Sequence, residues 1–172
     1  ATGATSISLR TVTFSALAPY QDDEKILKQF YKKTIKLSLY IHFPILIGLI
    51  AIADPLIVLF LTEKWAPAIK YFQYLCIVGL SLPLIYINQN IMKIKGRTDL
   101  YFRTNLINKL LILGTLLITY RWGIEIILIG QIINSILTYL VISHFSRRLI
   151  NYSTSEQIQD IFPLLIKSII MG

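Results

Sequence analysis

The sequence predicts an all-α, polytopic transmembrane helix bundle with about five membrane helices. Three observations carry that reading. First, 55% of the 172 residues are hydrophobic and only 15% are charged, against roughly a quarter charged in soluble domains; the mean hydropathy is +0.63. Second, the charges gather in short clusters separated by apolar runs of about 20 residues, the length that crosses a hydrocarbon core. Third, the basic clusters fall in alternate gaps between those runs, as membrane orientation requires.

Each element follows from its own residues. Segment 1–20 is apolar and hydroxyl-rich with Arg10 in its middle, and is read as the end of a preceding membrane helix or a loop. Asp22, Asp23 and Glu24 then open an amphipathic helix over 21–36, since carboxylates suit the positive end of a helix dipole. Ile26, Leu27, Phe30 and Tyr31 fall on one side of it at helical spacing. Accompanied by Lys25, Lys28, Lys32 and Lys33, that helix is expected along the cytoplasmic membrane surface, feeding the transmembrane bundle at 34–172. The first span is expected at about 34–53. Asp54 is expected to N-cap a short helix Leu56–Leu61 behind Pro55, with Trp65 at the headgroup level.

Further spans are expected at about 68–92, 104–120 and 124–145, and a truncated fifth at 158–172. Pro44 and Pro83 lie within the first two and predict kinks, either gating or static. The chain starts without methionine and stops inside an apolar run, so it is expected to be a piece of a longer protein.

Orientation follows from the basic residues. Lys25, Lys28, Lys32, Lys33 and Lys36, then Lys93, Lys95, Arg97 and Arg103, then Arg147 and Arg148 share one side if the helices alternate. The other side holds Lys64, Lys70 and Arg121. Eleven against three assigns the rich side to the cytoplasm. The same distribution accounts for the net charge of +8 without a nucleic-acid partner, because no basic stripe carries interleaved aromatics.

Three stretches resemble the Wzx-type polysaccharide and oligosaccharide flippases, of the superfamily that also holds multidrug/toxin-extrusion transporters. They are Thr13 to Asp23 (TFSALAPYQDD), Phe43 to Ala68 (with FPI, ADPL and EKWAPA), and Lys95 to Leu100 (KGRTDL). Ser15 and Pro19 depart from the family pattern. The resemblance implies the carboxy-terminal lobe of a two-lobe transporter, the amino-terminal lobe being absent from this chain. It also implies a bacterial inner-membrane location and a lipid-linked (undecaprenyl-diphosphate) oligosaccharide as cargo, flipped by alternating access for surface polysaccharide export. A multidrug antiporter and a membrane-embedded sugar-lipid enzyme are the competing readings. Membrane lipids are the other expected partner.

A diphosphate sugar requires cations and hydrogen-bonding groups inside the membrane, where each charge costs at least about 2.5–3.5 kcal/mol. Asn105, Asn108 and Lys109 share one helix face, with cargo binding and snorkelling of Lys109 both open. Lys167 lies about nine residues into the fifth span. Gln131, Asn134, Ser135 and Thr138 form a polar stripe, either a cavity wall or a helix–helix hydrogen-bonding seam. Arg10 is a candidate diphosphate contact. Asn88, Gln89 and Asn90 are expected to be solvated at the interface. No catalytic constellation, metal spacing or cofactor motif is present, and the lone Cys76 reads as a buried thiol.

Overall fold

The computed structural model describes residues 23–171, and these are helical throughout, with no strand among them. The helices are α1 (Glu24–Ala51), α2 (Ala53–Leu61), α3 (Ala68–Leu80), α4 (Leu82–Ile94), α5 (Thr98–Thr119), α6 (Ile124–Ile150) and α7 (Thr154–Met171). Single 3-10 turns at Glu63–Trp65 and Tyr120–Trp122 join them. Among the described residues, three stretches are long and apolar enough to cross a membrane: Lys25–Ala51, Ala68–Ile94 and Ile124–Ile150. The other long rods, α5 and α7, carry more polar residues. Arg10 and the whole of 1–20 lie outside the described residues.

Asp23 starts α1 by accepting hydrogen bonds from the amides of Lys25 and Ile26, both at 3.0 Å, which satisfies two orphan donors of the first turn. From there α1 runs unbroken for 28 residues, through Pro44. At 1.5 Å per residue it is about 42 Å long, longer than a hydrocarbon core of about 30 Å. Its lysine-bearing first turns therefore extend past the core as part of the same rod. Leu27, Tyr31, Ile35, Leu39 and Phe43 are all buried, one every four residues. That stripe continues from the 21–36 segment into the first span, which differs from the expectation of a separate helix lying along the surface. The physical reason is a partner: α7 packs along α1 and covers the face expected to lie on lipid.

One further local expectation changes and another gains detail. Asp54 is not the cap of α2; the helix begins at Ala53 behind Ile52, and Asp54 lies within its first turn. There it still faces the positive dipole end. The expected span at 68–92 stands, as Ala68–Ile94, and the kink expected at Pro83 is a break at Ser81, with Pro83 in the first turn of α4. Proline lacks the amide that would reach the carbonyl four residues back, which is Gly79. His42 of α1 donates from Nε2 to that same carbonyl at 3.3 Å, so a side chain from a neighbouring helix replaces the missing donor.

The central helix is α6, which contacts α1, α3, α4, α5 and α7. It approaches α5 closely at Gly130, where an added Cβ would sit 2.6 Å from the Thr115 methyl. Small residues at this seam let two membrane helices approach where hydrophobic driving force is absent. The buried apolar core joins α1, α4, α6 and Tyr152.

The first and third basic stretches lie at one end. The ammonium of Lys28 donates to the carbonyl of Asn151, which brings the start of α1 to the end of α6. Lys28 and Lys32 pair with Glu156, and Lys32 and Lys36 with Asp160, at 2.8–3.9 Å. At the opposite end, Tyr74 donates to Glu125 at 3.1 Å.

Candidate functional site

An open pocket of about 260 Å³ lies between the α3–α4 break, α5 and α6. Its polar wall comes from facing helices. From α5 come Asn105, Asn108 and Lys109; from α6 come Gln131, Asn134, Ser135 and Thr138; from α4 come Tyr86 and Gln89. Val78, Leu82, Ile85 and Ile112 complete it with apolar surface. The spacing explains the convergence. Residues 105, 108, 109 and 112 are one face of α5, and 131, 134, 135 and 138 are one face of α6.

Five of the seven expected site residues therefore meet in one place: Lys109, Asn105, Asn108, Gln131 and Asn134. Lys167 does not. It is exposed on α7, which packs against α1 and α6, and it contributes nothing to this pocket. Its depth along a helix was readable from sequence, but not the direction in which it points. Arg10 lies outside the described residues.

The pocket groups differ in how well they are satisfied. Asn105 donates to the carbonyl of Tyr101 at 2.7 Å, and Ser135 to that of Ile132 at 2.8 Å. Thr138 donates to the Asn108 side-chain oxygen at 3.0 Å, an interhelical bond that helps hold α5 to α6. Asn134 is only 4% exposed, and its Oδ1 is buried without a hydrogen-bond donor among the described residues. Lys109 is exposed and makes no ion pair or hydrogen bond among the described residues. It lies eleven residues into α5, about 16 Å along the helix axis, deeper than its distance from Arg103 suggests. No carboxylate is among the described residues that line the pocket.

Asn88, Gln89 and Asn90 correct an expectation. All three are buried, not solvated at an interface. Asn88 donates to the carbonyl of Leu84 at 2.8 Å and to Gln157 Oε1 at 3.3 Å, and accepts from the Ser146 hydroxyl. Tyr139 also donates to Gln157, at 3.4 Å. This network ties α4, α6 and α7 together beneath the pocket, and Gln89 from the same amide run reaches the pocket itself. Tyr86 and Gln89 were missed as lining residues. Their signal was the 82, 85, 86, 89 spacing, which places them on one face of α4.

Outside the spans, electrostatics follow local partners. The Arg97 guanidinium makes two 2.9 Å hydrogen bonds to Asp99 and holds that carboxyl at about 2. Glu156 sits below the usual carboxylate range, chiefly because the Ser153 amide donates to it, with Lys28 and Lys32 adding to the effect. Ser153 in turn accepts from the Glu156 amide at 3.1 Å, and the reciprocal bond is 3.0 Å. The pair forms a capping box at the start of α7, unread in the sequence although Ser-Thr-Ser-Glu spells it. Burial and the neighbouring Asp160 push the Tyr152 phenol up.

With this geometry in place, similarity to known proteins decides the family. Residues 2–70 match the family described as "Polysaccharide biosynthesis protein". The chain is 32% identical over 135 residues to the "Lipopolysaccharide biosynthesis protein WzxC" of Escherichia coli (strain K12), covering 76% of this chain and 27% of that protein. The chain belongs to the Wzx-type family of polysaccharide biosynthesis proteins. It is also 32% identical over 133 residues to an uncharacterized membrane protein in the cps region of Klebsiella pneumoniae, covering 74% of this chain and 27% of that one. Over 91 residues it is 31% identical to the "Teichuronic acid biosynthesis protein TuaB" of Bacillus subtilis (strain 168), covering 53% and 19%. The chain thus spans about a quarter of the length of the first two relatives. No solved structure matches it. With three apolar spans and these relatives, this member of the family is a multi-pass bacterial inner-membrane protein.

Proposed function

We propose that this chain forms one lobe of a transporter that carries a lipid-linked oligosaccharide across the inner membrane for polysaccharide export. The carboxy-terminal lobe is the part we assign, with an amino-terminal lobe of the same protein as its partner. The observation that carries the reading is the pocket: amides, hydroxyls and one ammonium from three helices converge midway along α5 and α6. Polar groups at that depth are costly unless they serve a cargo or one another. Amides and hydroxyls match the hydroxyls of a sugar, and an ammonium matches a phosphate. The names of the relatives, which concern lipopolysaccharide and teichuronic acid biosynthesis, support the same cargo class.

Transport by alternating access needs rearranging helices, not bond-making groups, so the protein is read as a transporter rather than an enzyme. A cationic-drug antiporter would call for carboxylates in this pocket; among the described residues that line it, the one charged side chain is Lys109.

The test is export of lipid-linked oligosaccharide in cells lacking the full-length gene, read as glycan reaching the periplasm. Loss of the glycan, restored by the intact gene, is the expected result. Unchanged export together with greater sensitivity to cationic compounds would overturn the reading in favour of an antiporter.

A further inference from the structure

Beyond its first turn, α6 leaves one face bare among the described residues. The exposed residues there are Ile129, Ile133, Ile136, Leu137 and Leu140, and then His144, Arg147 and Arg148. They recur at three- and four-residue intervals and so form a single stripe. Gln131, Ser135 and Thr138 line the pocket from the opposite side of the helix, about half a turn away. The stripe is therefore separate from the pocket. Its charges also differ from their neighbours. At the same end of the bundle, Lys28, Lys32 and Lys36 are paired with Glu156 and Asp160. Arg147 and Arg148 are exposed and make no ion pair among the described residues.

We propose that this face of α6 binds an anionic phospholipid of the inner leaflet, with its headgroup at Arg147 and Arg148 and its acyl chains along Ile129 to Leu140. Three observations select that occupant. The first is charge. Two unpaired guanidiniums match a phosphodiester, and basic groups at the cytoplasmic ends of membrane helices attract anionic headgroups. The second is length. Ile129 to Leu140 covers about 16 Å at 1.5 Å per residue, one leaflet of a hydrocarbon core about 30 Å thick. Arg147 lies about 10 Å beyond Leu140 along the axis, at headgroup level. The third is side-chain size. Where α6 meets other helices it presents small or hydroxyl residues: Gly130 to Thr115, Thr138 to Asn108, Ser143 to Thr154 and Ser146 to Asn88. The apolar part of the stripe is isoleucine and leucine alone. Acyl chains fill such a surface, whereas close helix packing in a membrane favours small residues. This site is independent of the cargo, and so of the transport reading.

The experiment uses the full-length protein in phosphatidylcholine nanodiscs, with a fluorophore on Leu140→Cys in a background freed of other cysteines, Cys76 included. Dibrominated phosphatidylglycerol and dibrominated phosphatidylcholine are the quenching probes. The anionic probe should half-quench the fluorophore at a mole fraction about thirtyfold lower than the neutral one, equivalent to about 1 kcal/mol for each arginine. Arg147→Gln combined with Arg148→Gln should abolish that preference. The neutral probe should quench this variant as before, which certifies the fold. If the double variant does not fold, either single one should lower the preference about fivefold. Lys25→Gln with Lys33→Gln removes the same charge from exposed positions on α1 and should leave the preference intact; its loss there would reduce the effect to bulk charge and overturn the proposal. Equal quenching by both probes in the wild type would overturn it in favour of solvated arginines on an ordinary lipid-facing helix. Quenching by neither would overturn it by showing that protein covers this face. Displacement of phosphatidylglycerol by an equal amount of undecaprenyl phosphate would overturn it by assigning the face to a polyprenyl carrier.

Discussion

Replacing Asn88 with leucine removes the hub of the buried network below the pocket. Its side chain is fully buried and makes two interhelical bonds, to Gln157 of α7 and from Ser146 of α6. Side-chain bonds between membrane helices average about 0.6 kcal/mol and reach about 1.7. Two of them put the loss at roughly 1–3 kcal/mol. The upper end applies if Ser146 and Gln157 find no new partners. Two relief routes are visible. Ser146 also lies 3.2 Å from the carbonyl of Ser143, and Gln157 still accepts from Tyr139. We therefore expect about 2 kcal/mol, a shift of more than tenfold in the folding equilibrium. The assay is reversible unfolding of the full-length protein in bicelles, with exposed Gln159→Ala as a control expected within about 0.5 kcal/mol of wild type. A loss below about 0.5 kcal/mol for Asn88→Leu would refute the claim that these bonds join α4, α6 and α7.

Other outcomes follow from the same geometry. Lys109→Ala should impair glycan export without lowering membrane abundance, whereas Lys167→Ala, outside the pocket, should leave export intact; a periplasmic glycan assay with immunoblotting checks both. His42→Leu should destabilise the protein by about 0.5–1.5 kcal/mol by removing one of the hydrogen bonds to the Gly79 carbonyl, and Pro83→Ala in that background should recover much of the loss by supplying an amide; paired unfolding curves measure it. Gly130→Ala should cost about 1–3 kcal/mol through the clash with Thr115, and Thr115→Ser, which removes the methyl, should relieve it. Glu156 has a depressed folded-state pKa, so its contribution is present above its ordinary value of 4.5 and lost as pH falls through the folded one. The α1–α7 contact should therefore loosen only in acid, and Glu156→Gln should flatten that dependence in a cross-linking series across the two helices.

Sequence alone determined the helical class, the alternation of the basic stretches, and the family. These depend on local chemistry: apolar runs long enough for a bilayer, lysines at their ends, and short motifs such as Ala53-Asp54-Pro55-Leu56. It also determined which residues share a helix face, so Asn105 with Lys109, and Gln131 with Asn134, could be grouped in advance. Periodicity cannot say what each face looks toward. Only the tertiary structure turned the α5 and α6 stripes toward each other, turned Lys167 away, and buried Asn88 where solvent was expected. The reason is that polar side chains in a membrane helix are stabilised equally by water, by a cargo or by another helix, and which of these is available depends on where α1, α4 and α7 pack. The same holds for His42 and Gly79, 37 residues apart: proline predicted a missing donor, but only packing chose its replacement.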